Sequence, residues 1–292
     1  MLDGIIEQHT GSLLEPYLDR PGERGPLFIA PDRLRRLVTR LDSEGFQIHI
    51  HAIADRAVRE AVEALESARR TNGPRDARAC LAHVQLVHPD DVPRLRRLGI
   101  AANMTPIWAR GDDLNVLFAE PRLGPERSRW LYAHESLLRA GVRVVWGTDW
   151  PVTSLSPLEG IETAVTRRHL GGLDPSGEPD AAWLPAERLS LEQALAAYTI
   201  AGAWLVHEDG VRGSIEAGKR ADLVVLERNL FEVEPLAIHE VRVDMTVFGG
   251  EVVFEAQPST SGLASIRAIT RHSTTLLPAT STRQKAAAAS CP

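Results

Sequence analysis

Between residues 46 and 149 the chain alternates four times between a short apolar run and a stretch with helical spacing, and this alternation limits the fold more than any other feature. Phe46-Gln-Ile-His-Ile-His-Ala52 is β-branched and largely apolar, and the following residues 55–70 place Val58, Val62 and Leu65 at helical spacing. Residues 79–85 read as a second strand. A helix over 89–98 follows, with Asp90 and Asp91 in its first turn, where the helix dipole favours negative charge. Residues 99–105 form a third strand that ends at Pro106. A helix over 135–140 stops at Gly141, and 142–149 is the fourth strand. Strands joined through helices at this spacing make a parallel sheet, because each crossover needs a dozen or more residues. The expected class is α/β.

After Pro157 the period is mainly helical. Ser190 followed by Gln193 three residues later is a capping-box arrangement. Residues 210–218 are turn-rich, 221–226, 245–248 and 252–254 read as strands, and Gly249-Gly250 is a hairpin signal. Residues 257–292 are rich in Ser, Thr and Ala without a sustained period, which reads as a largely disordered tail. The expected division is therefore an α/β part over 1–207, a small β subdomain over 208–256, and the tail.

Composition removes several functions. The net charge of -6 gives no attraction to nucleic acid or to an anionic membrane. Cys80 and Cys291 are the only cysteines, so neither a disulfide framework nor a thiolate zinc site is available, and any metal must use His and carboxylate. No apolar run reaches transmembrane length and the first residues lack a basic, then apolar, leader pattern, so a cytoplasmic location is expected. No Gly-x-Ser-x-Gly elbow, phosphate loop or dinucleotide fingerprint occurs.

Three residues share one context. His51 ends the first strand, His83 nears the end of the second, and Asp149 ends the fourth. In parallel α/β folds the carboxyl ends of the strands form the functional face, so these side chains are expected to converge. Two imidazoles and a carboxylate suit a borderline cation such as zinc, with water in the remaining position. A single His at a strand end is more often a hydrogen-bonded structural residue; two with an Asp leave the structural and metal readings balanced. His49 lies on the same strand face as His51 and reads as its buried hydrogen-bond partner rather than a further ligand. Asp55 reads as an N-cap, and His88 and His134 as surface or capping residues. His169, His207, His239 and His272 lack strand-end context. Trp108, Trp146 and Trp150 are candidates either for a pocket wall or for core.

At these residues the chain resembles the amidohydrolase superfamily, and within it the amidohydrolase-3 group of YtcJ-like and N-substituted formamide deformylase-like proteins. Asp3-Gly-Ile-Ile-Glu-Gln-His-Thr-Gly resembles the segment after the family's fourth barrel strand. Ile50-His-Ala-Ile-Ala-Asp is similar to the fifth-strand motif, Ala82-His-Val-Gln to the sixth, and Gly147-Thr-Asp-Trp-Pro-Val to the eighth. Gly213-Ser-Ile-Glu-Ala-Gly-Lys-Arg-Ala-Asp-Leu-Val-Val-Leu is similar to a hairpin of the family's β-sandwich. The resemblance implies a metal-dependent hydrolase of non-peptide C–N bonds in small amides, formamides or cyclic amides, with metal-bound hydroxide as attacking group. It makes His51 and His83 metal ligands and Asp149 a ligand and general base.

The family's strand-one His-x-His and fourth-strand Lys have no counterpart here. His49-Ile-His51 fits strand five better than strand one, because Ala-Ile-Ala-Asp-Arg-Ala follows it. The expectation is a partial TIM barrel, about strands 5 to 8, with a small C-terminal β-sandwich subdomain, as in a fragment of a longer protein. Such a half barrel has two open edges and an exposed apolar face, which a homo-oligomer or a completing chain would cover. Two readings stay open: an amidohydrolase whose chemistry belongs to a completed barrel, and a non-catalytic half-barrel remnant acting through association. A bare α/β binding domain is a weaker third.

Overall fold

Each of the four apolar runs becomes a strand, and every crossover between them passes through helix. The computed structural model describes residues 1–257, so the tail expected beyond that point lies outside the described residues. In chain order the first elements are α1 (Pro31–Ser43), β1 (His49–Ala52), α2 (Asp55–Asn72), β2 (Cys80–His83), α3 (Val92–Leu98) and β3 (Ala101–Met104). Two single turns, α4 (Glu120–Leu123) and α5 (Pro125–Ser128), precede α6 (His134–Arg139) and β4 (Val144–Trp146). Three helices, α7 (Pro157–Thr166), α8 (Leu191–Tyr198) and α9 (Ile200–Leu205), lead to β5 (Leu223–Leu226), β6 (Val243–Phe248) and β7 (Glu251–Glu255). Residues Met1–Ala256 make up one unit.

Strands β1 to β4 pair in sequence order, all parallel, with His51 opposite Ala82, Ala82 opposite Asn103 and Asn103 opposite Val145. Side chains alternate between the two faces of such a sheet. Ile50, Leu81, Ala102 and Val144 lie on one face, in the core shared with Val58, Val62 and Leu65 of α2, Leu95 of α3 and Leu137 of α6. The other face carries the His51 row and, one step toward the amino ends, His49, Cys80 and Ala101. Cys80, Ala101 and Val145 form a second cluster with Ala201, against which Trp204 and Leu205 of α9 pack. The face expected to be bare and apolar is thus partly covered by α9.

Helix α1 was not legible as a helix in the sequence. It opens with Pro31 at its first position and Asp32 beside it, both favourable there. Its apolar stripe is thin, with only Leu34 and Val38 buried among four arginines, and packing on α2 supplies what local pattern does not. At the other end of the chain Gly249 and Gly250, both at positive φ, make the tight turn between β6 and β7. The antiparallel sheet β5-β6-β7 leaves Val252, Val253 and Phe254 exposed. Ser190 caps α8, with Gln193 returning the bond, as the sequence predicts.

Residues 1–14 hold little regular structure yet are fixed in place. The Leu2 N–H donates to the His51 carbonyl at 2.9 Å. The wholly buried Asp3 carboxylate accepts the N–H groups of Ser12 (2.9 Å), Ile53 (2.9 Å) and Ala54 (3.0 Å). The Ser12 carbonyl in turn accepts from Arg56 and Ala57, two of the N–H groups that the start of α2 leaves without a helical partner. Asp55 is the first residue of α2, not its N-cap, which is Ala54; its Oδ1 accepts from Leu14 as well as Arg56. A cap from distant chain makes a local one unnecessary.

Replacing Asp3 with alanine strands three buried N–H groups, each costing about 1–3 kcal/mol. Asp3→Ala is expected to lower unfolding stability by at least about 2 kcal/mol, read from the urea midpoint; an unchanged midpoint would contradict this role.

Candidate metal centre

His51 is the third residue of β1 and His83 the last of β2, which brings their rings together edge to face with centroids 4.7 Å apart. The backbone leaves β2 in an unusual way. His83 sits at φ 74 and Val84 at φ 46, left-handed values that a β-branched residue rarely adopts. Neighbours impose them: Val84 N–H donates to Ala52, Leu86 N–H to Ile53, and Gln85 carbonyl accepts from Tyr132. Strain of this kind, about 1–3 kcal/mol per residue, persists only where surroundings hold it, and such residues concentrate at functional sites.

Both imidazoles bury Nδ1 without a hydrogen-bond partner among the described residues. For His51 the nearest acidic oxygen is Asp3 Oδ1 at 3.7 Å, beyond hydrogen-bond reach. Burial and the neighbouring His83 hold the His51 imidazole down to about 4, while Asp149 pulls the other way. Burial also lowers His83, against the Asp149 carboxylate. The Asp3 carboxyl is pushed up to about 6 by burial, its three N–H donors acting in the opposite sense.

A wall stands beside the pair. Trp108, in the turn after β3, stacks on His83 with centroids 5.6 Å apart and planes 12° from parallel. Buried Asn115 fixes that turn by donating to the Trp108 and Arg110 carbonyls at 2.8 Å each. Behind His83, Gln85 donates to Glu7 at 2.6 Å, and burial raises the Glu7 carboxyl.

Neutral imidazoles with unpartnered nitrogens are what a divalent cation takes. His51 and His83 therefore fit two positions of a metal centre. Asp149, half-buried at φ 58 beyond the end of β4, acts electrostatically on both rings. It does not complete a cage: among the described residues no three or more His, Cys, Asp or Glu side chains are grouped to hold an ion.

Several other expectations change. His49 is exposed, not a buried partner of His51, because β1 is an edge strand and α9 covers the face farther along. His134 is wholly buried against Trp146 and Tyr132 rather than at the surface, and burial holds its ring well below the usual range. Trp146 is core, packed on Tyr198, whereas Trp150 is 64% exposed. His88 does cap a turn, accepting from Asp90. His169 and His239 pair with Asp180 and Glu162, away from the strand ends. Sequence reasoning gave no role to Asp3, Glu7 or Gln85. All three do stand in the family-like stretches Asp3-Gly-Ile-Ile-Glu and Ala82-His-Val-Gln, which gave them no individual role.

A model described as the amidohydrolase family matches residues 1–254. The protein LONG AFTER FAR-RED 3 of Arabidopsis thaliana is 34% identical over 79% of this chain and 38% of its own length. YtcJ of Bacillus subtilis is 29% identical, over 87% of this chain and 46% of its own. An N-substituted formamide deformylase of Arthrobacter pascens is 30% identical, over 79% and 41%. The chain thus spans less than half the length of these relatives. Among solved structures, a metal-dependent hydrolase of Pyrococcus horikoshii superposes with a TM-score of 0.67 at 26% identity, covering 80% of this chain and 44% of that one.

Holding the His51 imidazole neutral makes stability depend on pH. Between about pH 4 and the usual 6.5 the folded protein binds fewer protons than the unfolded chain, so the His51 contribution is present above 6.5 and lost as pH falls toward 4. Asp3 runs opposite: its contribution is full below 3.8 and is lost as pH rises through about 6, offsetting His51 in part. In the metal-free protein the His51 ring proton resonances are expected to titrate near pH 4; a midpoint at 6.5 or above would show a solvated ring.

Proposed function

The chain belongs to the amidohydrolase family, and from that premise we propose that it supplies the metal-holding strands of a hydrolase that opens a non-peptide C–N bond in a small amide, formamide or cyclic amide. The observation that carries this is the His51–His83 pair, neutral, adjacent and unpartnered at the carboxyl ends of neighbouring strands. The pair would hold the metal, with zinc the preferred ion for imidazole and carboxylate donors, and Asp149, beyond the end of β4, would supply the third donor once drawn toward the ion. The bound ion would polarise the scissile carbonyl and make water easier to deprotonate. Asp149 would accept a proton from the attacking water and then, as general acid, return it to the leaving amine. Trp108 closes the side of the site against bulk water.

The strand order supports a wider reading of the fold. Four parallel strands in sequence order, each linked through helix, correspond to half of an eight-stranded barrel, and β5 to β7 to part of a β-sandwich. On this reading the boundaries are 1–207 and 208–256, and the protein acts in the cytoplasm on a small molecule. No described helix is long and apolar enough to cross a membrane. The open sheet edges are covered by a second copy or by a completing chain.

A second reading, a non-catalytic half barrel that works through association, is favoured by one observation. No three-donor cage is closed among the described residues, while apolar side chains of β7 stand exposed.

Zinc titration followed by calorimetry separates the two. The hydrolase reading expects saturable binding at one site, weakened about 100-fold or more in His51→Ala and His83→Ala. It also expects amide hydrolysis that falls about 10²–10⁴-fold in Asp149→Asn at saturating zinc. Binding unchanged in both histidine variants would remove it.

A further inference from the structure

The sheet face that carries His51 holds one more polar side chain in the same row, at the centre of the sheet. The row runs His51, Ala82, Asn103, Val145. A strand paired on both sides is normally apolar on both faces, so an asparagine in the middle of β3 needs an explanation. Its carboxamide is half-buried, with no side-chain hydrogen bond among the described residues, although such a group can make up to four. The space around it is kept open by small neighbours. Ala82 offers only a methyl, and Gly147 lies beside the carboxamide, where a Cβ would stand in ordinary contact, 4.0 Å from the Asn103 Oδ1. Cys80, Ala101 and Val145, backed by α9, floor the same face, and Trp108 rises four residues beyond Met104 to stack on His83.

We infer that Asn103 is a positioning and specificity residue that grips the amide edge of the substrate; the inference rests on the hydrolase reading above. Strands about 4.8 Å apart put Asn103 one strand from His83 and two from His51, a small molecule's width from the imidazole pair. A carboxamide presents an acceptor oxygen and donor N–H groups side by side. That pattern matches an amide whose own N–H and C=O lie on one edge, as in a lactam, an imide or a primary amide. An ester or an N-alkylated lactam lacks the N–H, so it leaves the Asn103 oxygen without a partner in a partly desolvated site and binds more weakly. Substrates are therefore selected for a free cis N–H.

The test uses 2-pyrrolidinone and N-methyl-2-pyrrolidinone as probes, with the side-chain amide resonances of Asn103 and the ring resonances of His51 and His83 as reporters. The full chain is expected to show a saturable shift of the Asn103 resonances with 2-pyrrolidinone and about tenfold weaker binding of the N-methyl compound. Asn103→Ala should equalise the two, and Asn103→Ser serves if the alanine variant does not fold. Equal affinities in the original protein, or a preference that survives in the folded variant, overturns the role of Asn103. Zinc added separately reports on the other claim. Zinc shifts at His51 and His83 without an amide preference leave the hydrolase reading standing and Asn103 without a role. An amide preference that disappears in Asn103→Ala, with no zinc response at the imidazoles, removes the hydrolase reading and keeps the amide site.

Discussion

The buried carboxylate of Asp3 ties the first residues of the chain to the backbone at Ile53 and Ala54, about fifty positions on, and the site depends on that junction. By accepting from Ser12, Ile53 and Ala54 it fixes the irregular first residues against the exit of β1, one residue beyond His51. With that segment in place, the Ser12 carbonyl caps α2 and Asp55 receives Leu14. One polar group thereby settles the position of the N-terminal segment, the start of a helix and the surroundings of a candidate ligand. Its cost is visible in the carboxyl itself, raised to about 6 by burial despite three donors.

The same economy of contacts explains the second imidazole. His83 reaches His51 only because the chain leaves β2 through two left-handed residues, and backbone bonds to Ala52, Ile53 and Tyr132 hold that path. Trp108 stacking on His83 and the Asn115 amide beneath it keep the neighbouring turn in register. Burial then keeps both rings neutral, the form that binds cations. A pair assembled by strained backbone and stripped of hydrogen-bond partners is expensive unless something else binds it.

Much of this was readable from the residues. Apolar runs alternating with helical spacing pointed to the parallel sheet, the family resemblance to its strand order, the glycine pair to the β6–β7 turn, and strand-end position to His51 and His83. Legibility failed where distant chain decides. Helix α1 carries too few apolar residues to show itself and forms by packing on α2. Asp55 looked like a cap because Ser and Asp usually cap locally, yet the cap comes from residue 12. His49 and His134 exchanged expected environments. Period-two alternation predicts the face of a strand but not what covers it, and α9, almost 150 residues later in the chain, shields the Cys80–Ala101–Val145 cluster and leaves His49 bare. Asn103 passed unnoticed because a single polar residue in a short strand has no periodic signal.

If His51 and His83 form the core of a metal centre, anomalous diffraction at the zinc edge will locate the ion at the pair. Crystals grown with zinc are predicted to show a peak within ligand distance, about 2.0–2.2 Å, of a nitrogen on each ring. No peak there, or zinc bound only at surface residues, would contradict the account.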